Sequence, residues 1–176
     1  PGNVAMRNFN TALGYHRSPE AAAVTWRPRQ GDPEGLHWCF TGDIGAMDAE
    51  GRITLVDRSK DVVKTGGESV PSVEVETTYI GHPHIRDCAA IGVEDERWGE
   101  AILLVAVPEA DAPDDSELAV LLFSWGRVEM SAFKVPKKIA FVDELPRSHF
   151  GKVLKRELRD RDFHRVFDAP SGKSSA

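Results

Sequence analysis

Cysteine is nearly absent from this chain of 176 residues, and so are tyrosine and methionine, with two, two and three copies. Cys39 and Cys88 lie far apart in sequence and make no metal or redox spacing, and a reduced, cytoplasmic setting is the simplest expectation. His82 and His84 lie near Cys88, and His37 near Cys39. Neither group has a recognised ligand spacing with a fourth partner, so no metal site is expected. No apolar run approaches membrane-spanning length, and the N-terminus carries no signal-peptide pattern. A net charge of −6 argues against a general nucleic-acid binder. G-x-x-x-x-G-K-[ST], G-x-G-x-x-G and H-E-x-x-H are all missing, as is any internal repeat. The chain opens on Pro1 without a clear element start, and it is expected to be a piece of something longer.

What is present is a hydrophobic content of 41% and a charged content of 28%, enough for one good core or one domain with part of another. Residues 1–17 read as irregular. Ser18-Pro19-Glu20 starts a helix that fails near Trp26. A strand at 36–40 precedes Thr41-Gly42-Asp43, and 44–47 with 52–56 read as a hairpin around Asp48-Ala49-Glu50-Gly51. Asp57-Arg58-Ser59-Lys60-Asp61 carries too much charge for a core and reads as an exposed crossing between two bodies, the boundary falling at about 58–60. Beyond it the pattern predicts a strand at 62–64 and a helix capped by Ser69 or Ser72 that runs through Tyr79. Strands follow at 85–93 and 101–108, then a helix opened by Asp114-Asp115, a strand at 138–142 and a basic amphipathic helix at 153–163. A disordered tail is expected from 168. The second body is thus an α+β domain.

Several residues could carry chemistry, and each has an ordinary structural reading beside it. Lys152 ends the loop Leu145-Pro146-Arg147-Ser148-His149-Phe150-Gly151, where a lysine can be carried into a site as a movable point charge. Arg147, Lys155, Arg156 and Arg159 equally make the stretch a solvated basic surface. Asp43 can accept both hydroxyls of a ribose or only local turn hydrogen bonds. Arg58 and Lys60 can meet a phosphate or simply solvate the crossing. Gly66-Gly67 can line a narrow channel or make a turn. Trp98 is either a lid over a neighbouring helix or a stacking platform.

Taken in order, T-G-D (41–43), D-x-E-G-R-I (48–53), D-R-S-K-D-V-V-K-T-G-G-E (57–68), E-V-E (74–76), D-E-R-W-G-E (95–100), F-K-V-P-K-K (133–138) and D-E-L-P-R-S-H-F-G-K (143–152) resemble the adenylate-forming acyl-CoA synthetases. The likeness is strongest to fatty-acyl and medium-chain ligases. G-Y-H-R-S-P-E-A-A (14–22) also fits the end of their large N-terminal domain, and the resemblance covers about 14–160. It implies that 1–58 closes that domain as a strand-rich remnant. Residues 59–167 would form the mobile C-terminal domain, a short mixed sheet flanked by helices.

The resemblance also implies a reaction. ATP and a carboxylic acid give an acyl-adenylate, and CoA then displaces AMP to give a thioester. Lys152 would be the catalytic residue of the first step. Asp43 and Arg58 would bind the ATP ribose, and Lys60 would be the hinge. Gly66 and Gly67 would border the pantetheine tunnel, while Trp98, Phe133 and Lys134 would contact the CoA nucleotide. Magnesium is implied too, with its ligands upstream of Pro1, where the phosphate loop and acyl pocket also belong. The partners expected are therefore the acid, ATP, CoA and the missing N-terminal domain. Apolar surface exposed on 1–57 would favour homo-oligomers. Two departures bear on the acceptor: Ser69-Val70-Pro71 stands where many relatives read N-V-Y, and Val135 where some carry arginine. A carrier protein's phosphopantetheine is the alternative acceptor, and a stand-alone binding module the alternative class.

Overall fold

The computed structural model of the chain describes residues 1–12, 14–32 and 34–170, and it divides between Lys60 and Asp61 into two units. In the first, strands β1 (Gly2–Met6), β2 (Trp26–Pro28), β3 (His37–Met47) and β4 (Ile53–Arg58) form one antiparallel sheet, with helix α1 (Pro19–Thr25) beside it. β3 is the common partner of the other three. The strand predicted at 36–40 and the first arm of the hairpin are therefore one strand. β1 replaces the irregular start expected there; its residues have no strand period of their own and are held by pairing with β3. Ser18 occupies the cap position of α1 without a side-chain capping bond. The hairpin loop is set by Asp48, whose Oδ1 accepts the N–H groups of Glu50 and Arg52 at 3.1 and 2.8 Å.

The second unit holds all the buried hydrophobic residues of the described chain. Its elements are β5 (Val63–Thr65), β6 (Glu68–Val70), α2 (Ser72–Ile80), β7 (Ile85–Asp95), β8 (Gly99–Pro108), α3 (Asp115–Glu129), β9 (Lys138–Phe141), α4 (Lys155–Arg159) and β10 (Val166–Asp168). The fold is α+β, as expected. β7 and β8 pair antiparallel along their whole length, β9 runs parallel to β8, and β10 lies antiparallel to β9. The β5–β6 hairpin joins this sheet through Thr65 opposite Gly99.

Alternation along β7 to β9 makes two cores, because successive strand side chains point to opposite faces. Ala90, Ile102, Leu104 and Ile139 pack with Val75 and Tyr79 of α2 and Leu118 and Leu122 of α3. On the other face Ile91, Leu103, Val105 and Ala140 pack with Leu145 and Leu158. α3 begins as its acids predict. The Asp114 carboxylate accepts the Ser116 hydroxyl and the N–H groups of Ser116 and Glu117, the latter two at 3.0 and 3.1 Å, and the hydroxyl bond above all, with the N–H bonds, holds its pKa below the ordinary aspartate value.

Four expectations need correction. Neither serine caps α2: Pro71 holds the cap position, and Ser72 is the fully buried first residue of the helix. The basic helix expected at 153–163 shrinks to Lys155–Arg159, because Val153 pairs back onto Arg147 and Phe163 packs against the second core. The charged crossing is not uniformly exposed: Asp61 is only 8% exposed, its charge met by Arg159 at 2.8 Å. A buried carboxylate is tolerated there because it is paired. Disorder expected from 168 does not hold for the first residues of that stretch, since Asp168 pairs with Lys138 and the Ala169 N–H donates to Lys137 O at 2.8 Å. The rest of that tail, 171–176, lies outside the described residues.

Candidate functional site

Lys152 sits where a tight hairpin closes. Arg147 and Val153 form an antiparallel bridge, the Ser148 N–H donates to Lys152 O at 2.8 Å, and the Gly151 N–H donates to Ser148 O at 2.8 Å. His149, Phe150 and Gly151 are thus a three-residue loop whose last member must be left-handed. Gly151 has φ +79°. The glycine before the lysine is there for its backbone, since a Cβ on it would meet nothing within 4 Å.

Of the basic side chains around Lys152 only Arg156 is left in solvent; the other three are not the solvated run that composition allows. Arg147 Nη2 pairs with Asp87 Oδ2 at 2.5 Å, Lys155 Nζ with Glu76 Oε1 at 2.6 Å, and Arg159 Nη2 with Asp61. Lys155 also donates to Ser72 Oγ at 2.5 Å, and Glu76 Oε1 accepts the Ala90 N–H at 2.8 Å. The exposed Lys152 takes part only through its backbone; among the described residues its ammonium has no hydrogen-bond or ion-pair partner. It is a single uncompensated positive charge on a held turn.

A second group forms around Trp98. Gly66 and Gly67 are the two-residue turn between β5 and β6, with φ +57° and +86°. The Gly66 N–H donates to Trp98 O at 3.0 Å, and a Cβ on Gly66 would lie 2.9 Å from the indole. Gly66 is required by both backbone and space, Gly67 by backbone alone. Over the indole sit Arg97, its guanidinium carbon 4.8 Å from the ring centroid, and Lys137, with Nζ at 5.5 Å. These side chains and Arg127 line a pocket of about 440 Å³ whose walls include Val135, Asp95 and Asp168. No ion pair among the described residues involves Arg97, Arg127 or Lys137. Burial, with the Arg127 and Arg97 charges, holds the Lys137 ammonium below the ordinary lysine range.

Phe133 and Lys134 lie together next to this group in sequence, the ammonium 5.7 Å from the phenyl centroid. Lys134 is already engaged by Glu74 of α2. In the first unit Asp43 and Arg58 are cross-strand partners, with Arg58 Nε 3.2 Å from Asp43 Oδ1. The Thr-Gly-Asp turn is built for this. Gly42 has φ +79° and its carbonyl accepts the Ser59 N–H at 2.8 Å, while Thr41 Oγ1 accepts the Asp43 N–H at 3.2 Å. Lys60 is the exposed last residue of the unit.

The structure therefore groups Gly66, Gly67 and Trp98, pairs Asp43 with Arg58, and leaves Lys152 on its own hairpin. Sequence reading missed Arg97, Arg127 and Lys137. Two of these lay inside quoted motifs, but Arg127, on the last turn of α3, gave no signal. Magnesium has no fit here: among the described residues no three His, Cys, Asp or Glu side chains are grouped to hold a metal ion, and no step is assigned to one. No described helix is long and apolar enough to cross a membrane.

Residues 74–152, from α2 to Lys152 itself, match the AMP-binding enzyme C-terminal domain. The chain belongs to the adenylate-forming superfamily. A feruloyl-CoA synthase of Amycolatopsis sp is 38% identical over 160 residues, which are 91% of this chain and 30% of that protein. A long-chain-fatty-acid–CoA ligase of Escherichia coli O157:H7 is 36% identical over 160 residues, 91% of this chain and 26% of that ligase. Among solved structures of the superfamily, ATP-bound MatB from Rhodopseudomonas palustris matches with a TM-score of 0.75 at 32% identity, covering 90% of this chain and 30% of that one. The chain thus spans less than a third of the length of these adenylate-forming relatives.

Proposed function

We propose that the chain is the C-terminal portion of an AMP-forming acyl-CoA ligase whose acid is a fatty acid. Residues 1–58 close the large AMP-binding domain, and 59–167 are the domain that swings. In the first step a carboxylate oxygen attacks the α-phosphorus of ATP, the bond to pyrophosphate breaks and an acyl-adenylate forms. In the second the CoA thiol, giving up its proton, adds to the acyl carbon and AMP leaves. Lys152 lies between the carboxylate and the α-phosphate in the first step and offsets the negative charge that develops there. Asp43 accepts the ribose hydroxyls, oriented by Arg58. Lys60 is the pivot that exchanges the two faces of the small domain between steps, a role supported by the division of the chain beside it. Gly66 and Gly67 border the pantetheine passage beneath Trp98.

CoA is favoured over a carrier protein as acceptor by the pocket beside Trp98. Its three cations, none in an ion pair among the described residues, and its indole suit a phosphorylated nucleotide, which a carrier's pantetheine arm lacks. Phe133 contacts the same nucleotide, and Lys134 does so only by leaving Glu74. Two free cysteines are in keeping with a cytoplasmic enzyme.

The observation that carries this reading is the lone ammonium of Lys152 on its fixed turn among paired neighbours. The test is Lys152→Ala in the complete ligase, with the two half-reactions measured separately. Acyl-adenylate formation should be lost, while thioester formation from preformed acyl-adenylate survives. Equal loss in both half-reactions would sink the division of roles.

A further inference from the structure

We infer that Arg147 is a positioning residue for Lys152, its guanidinium fork fastening the lysine's own peptide to the sheet. This rests on the reading of Lys152 given above. Nη1 of Arg147 donates to Gly151 O at 2.5 Å, and Nη2 pairs with Asp87 Oδ2 on β7 at 2.5 Å. The Gly151 carbonyl belongs to the peptide bond that leads into Lys152. The N–H of that same peptide meets Ser148 Oγ at 3.3 Å. Both ends of the peptide are therefore held, and with them the direction in which the Lys152 side chain leaves the backbone.

The need for such a hold follows from the loop itself. Phe150, at its tip, is 98% exposed and gives the turn no apolar anchorage. The sole bridge is a single residue pair, and a lone turn of this size is weak in water. Burial thus fixes neither the loop nor the lysine. Arg147 supplies what burial does not, because its planar fork can serve a carbonyl and a carboxylate at once in a fixed geometry. Downstream, Lys155 on Glu76 and Ser72 ties the exit of the hairpin to α2, so the lysine is braced from both sides. The ammonium then reaches its target without the entropy cost of ordering a free loop in each cycle. A displacement of about 1 Å at such a charge can cost on the order of 100-fold in rate.

The experiment compares Arg147→Ala, Arg147→Lys, Asp87→Asn and Lys152→Ala in the complete ligase. It follows adenylation by pyrophosphate exchange and thioester formation from preformed acyl-adenylate. For Arg147→Ala we expect kcat of adenylation to fall about 10- to 100-fold, with KM for ATP and acid nearly unchanged and the thioester step intact. Arg147→Lys, with one ammonium for two acceptors, should recover only part of the loss. Asp87→Asn, which leaves the fork its carbonyl, should lose less and serves if Arg147→Ala folds poorly. Unchanged adenylation in a folded Arg147→Ala or Asp87→Asn enzyme, with Lys152→Ala inactive, overturns the positioning role alone. A loss carried by KM, or shared equally by both half-reactions, also overturns it. Adenylation that survives Lys152→Ala overturns the assignment of Lys152 itself and the brace with it.

Discussion

Around Lys152 three basic side chains are paired off one by one, with only Arg156 of the named neighbours left in solvent, whereas around Trp98 they are left crowded together. Arg147, Lys155 and Arg159 each have a carboxylate within 2.8 Å, which isolates one ammonium as the only unneutralised charge on its hairpin. Arg97, Arg127 and Lys137 share a pocket with no ion pair among the described residues, and burial, helped by the Arg127 and Arg97 charges, depresses the proton affinity of Lys137. On the function proposed above, the difference teaches how one small domain would prepare for two kinds of negative charge. A charge that exists only in a transition state is best met by a single held cation, since a cluster would also bind the ground state. A ligand that carries several charges throughout is met by a standing excess of positive charge, which its binding relieves.

The largest effect that would break this comparison belongs to the isolated charge. Lys152→Ala should lower adenylation by about 100- to 1,000-fold, the range for losing one preorganised electrostatic contact. A loss of less than tenfold in pyrophosphate exchange would mean that neighbouring cations substitute for it.

The crowded charges should be individually weaker and should act on the other step. Arg97→Ala, Arg127→Ala and Lys137→Met should each raise KM for CoA about tenfold, the size of one charge-assisted hydrogen bond. Adenylation should not change, and pantetheine offered in place of CoA should be insensitive to all three. If the acceptor is a carrier protein, none of these substitutions will move its KM.

Smaller again is the backbone contribution at the turn below Trp98. Gly66→Ala and Gly67→Ala each place a side chain at positive φ, which costs about 1–2 kcal/mol. Gly66→Ala must also push the indole aside. Thermal denaturation should therefore rank Gly66→Ala below Gly67→Ala, and only the former should weaken CoA binding.

The subtlest effect is in pH. Lys137 in the fold has a pKa below its unfolded value of 10.5. Between those two values the unfolded chain holds a proton that the fold has released, so this residue's contribution to stability rises with pH through that window. An anion bound beside it reverses the shift. CoA binding at alkaline pH should then take up protons, measured by titration calorimetry in buffers of different ionisation enthalpy, and Lys137→Met should remove the uptake.

How far the sequence could be read depended on the range of the interaction behind each feature. The apolar runs at 85–93 and 101–108 became β7 and β8, because period-two burial on two faces leaves a local imprint. Asp114 announced α3 because a cap acts over three residues. The short strands β1, β6 and β10 left no such imprint; each is held by its partner strand rather than by its own residues. α4 was over-read for the same reason, since the amphipathic pattern continues past Arg159 while the backbone turns away. At the site, Asp43 with Arg58 and Gly66-Gly67 with Trp98 were named from motifs, but their contacts were not legible. The basic run at 147–159 could not show which of its cations are paired and which, like Lys152 and Arg156, stay exposed. The acids that neutralise it stand as far as 98 residues away, as Asp61 does from Arg159.

By itself, then, the sequence determined the α+β class and the glycine turns that only a left-handed backbone can make. These follow from local sterics and from periodicity, which act between near neighbours. The tertiary structure alone decided which positive charges are spent on ion pairs and which remain available. Coulomb attraction depends on distance in space, and the chain brings Asp87, Glu76 and Asp61 to their partners only by folding.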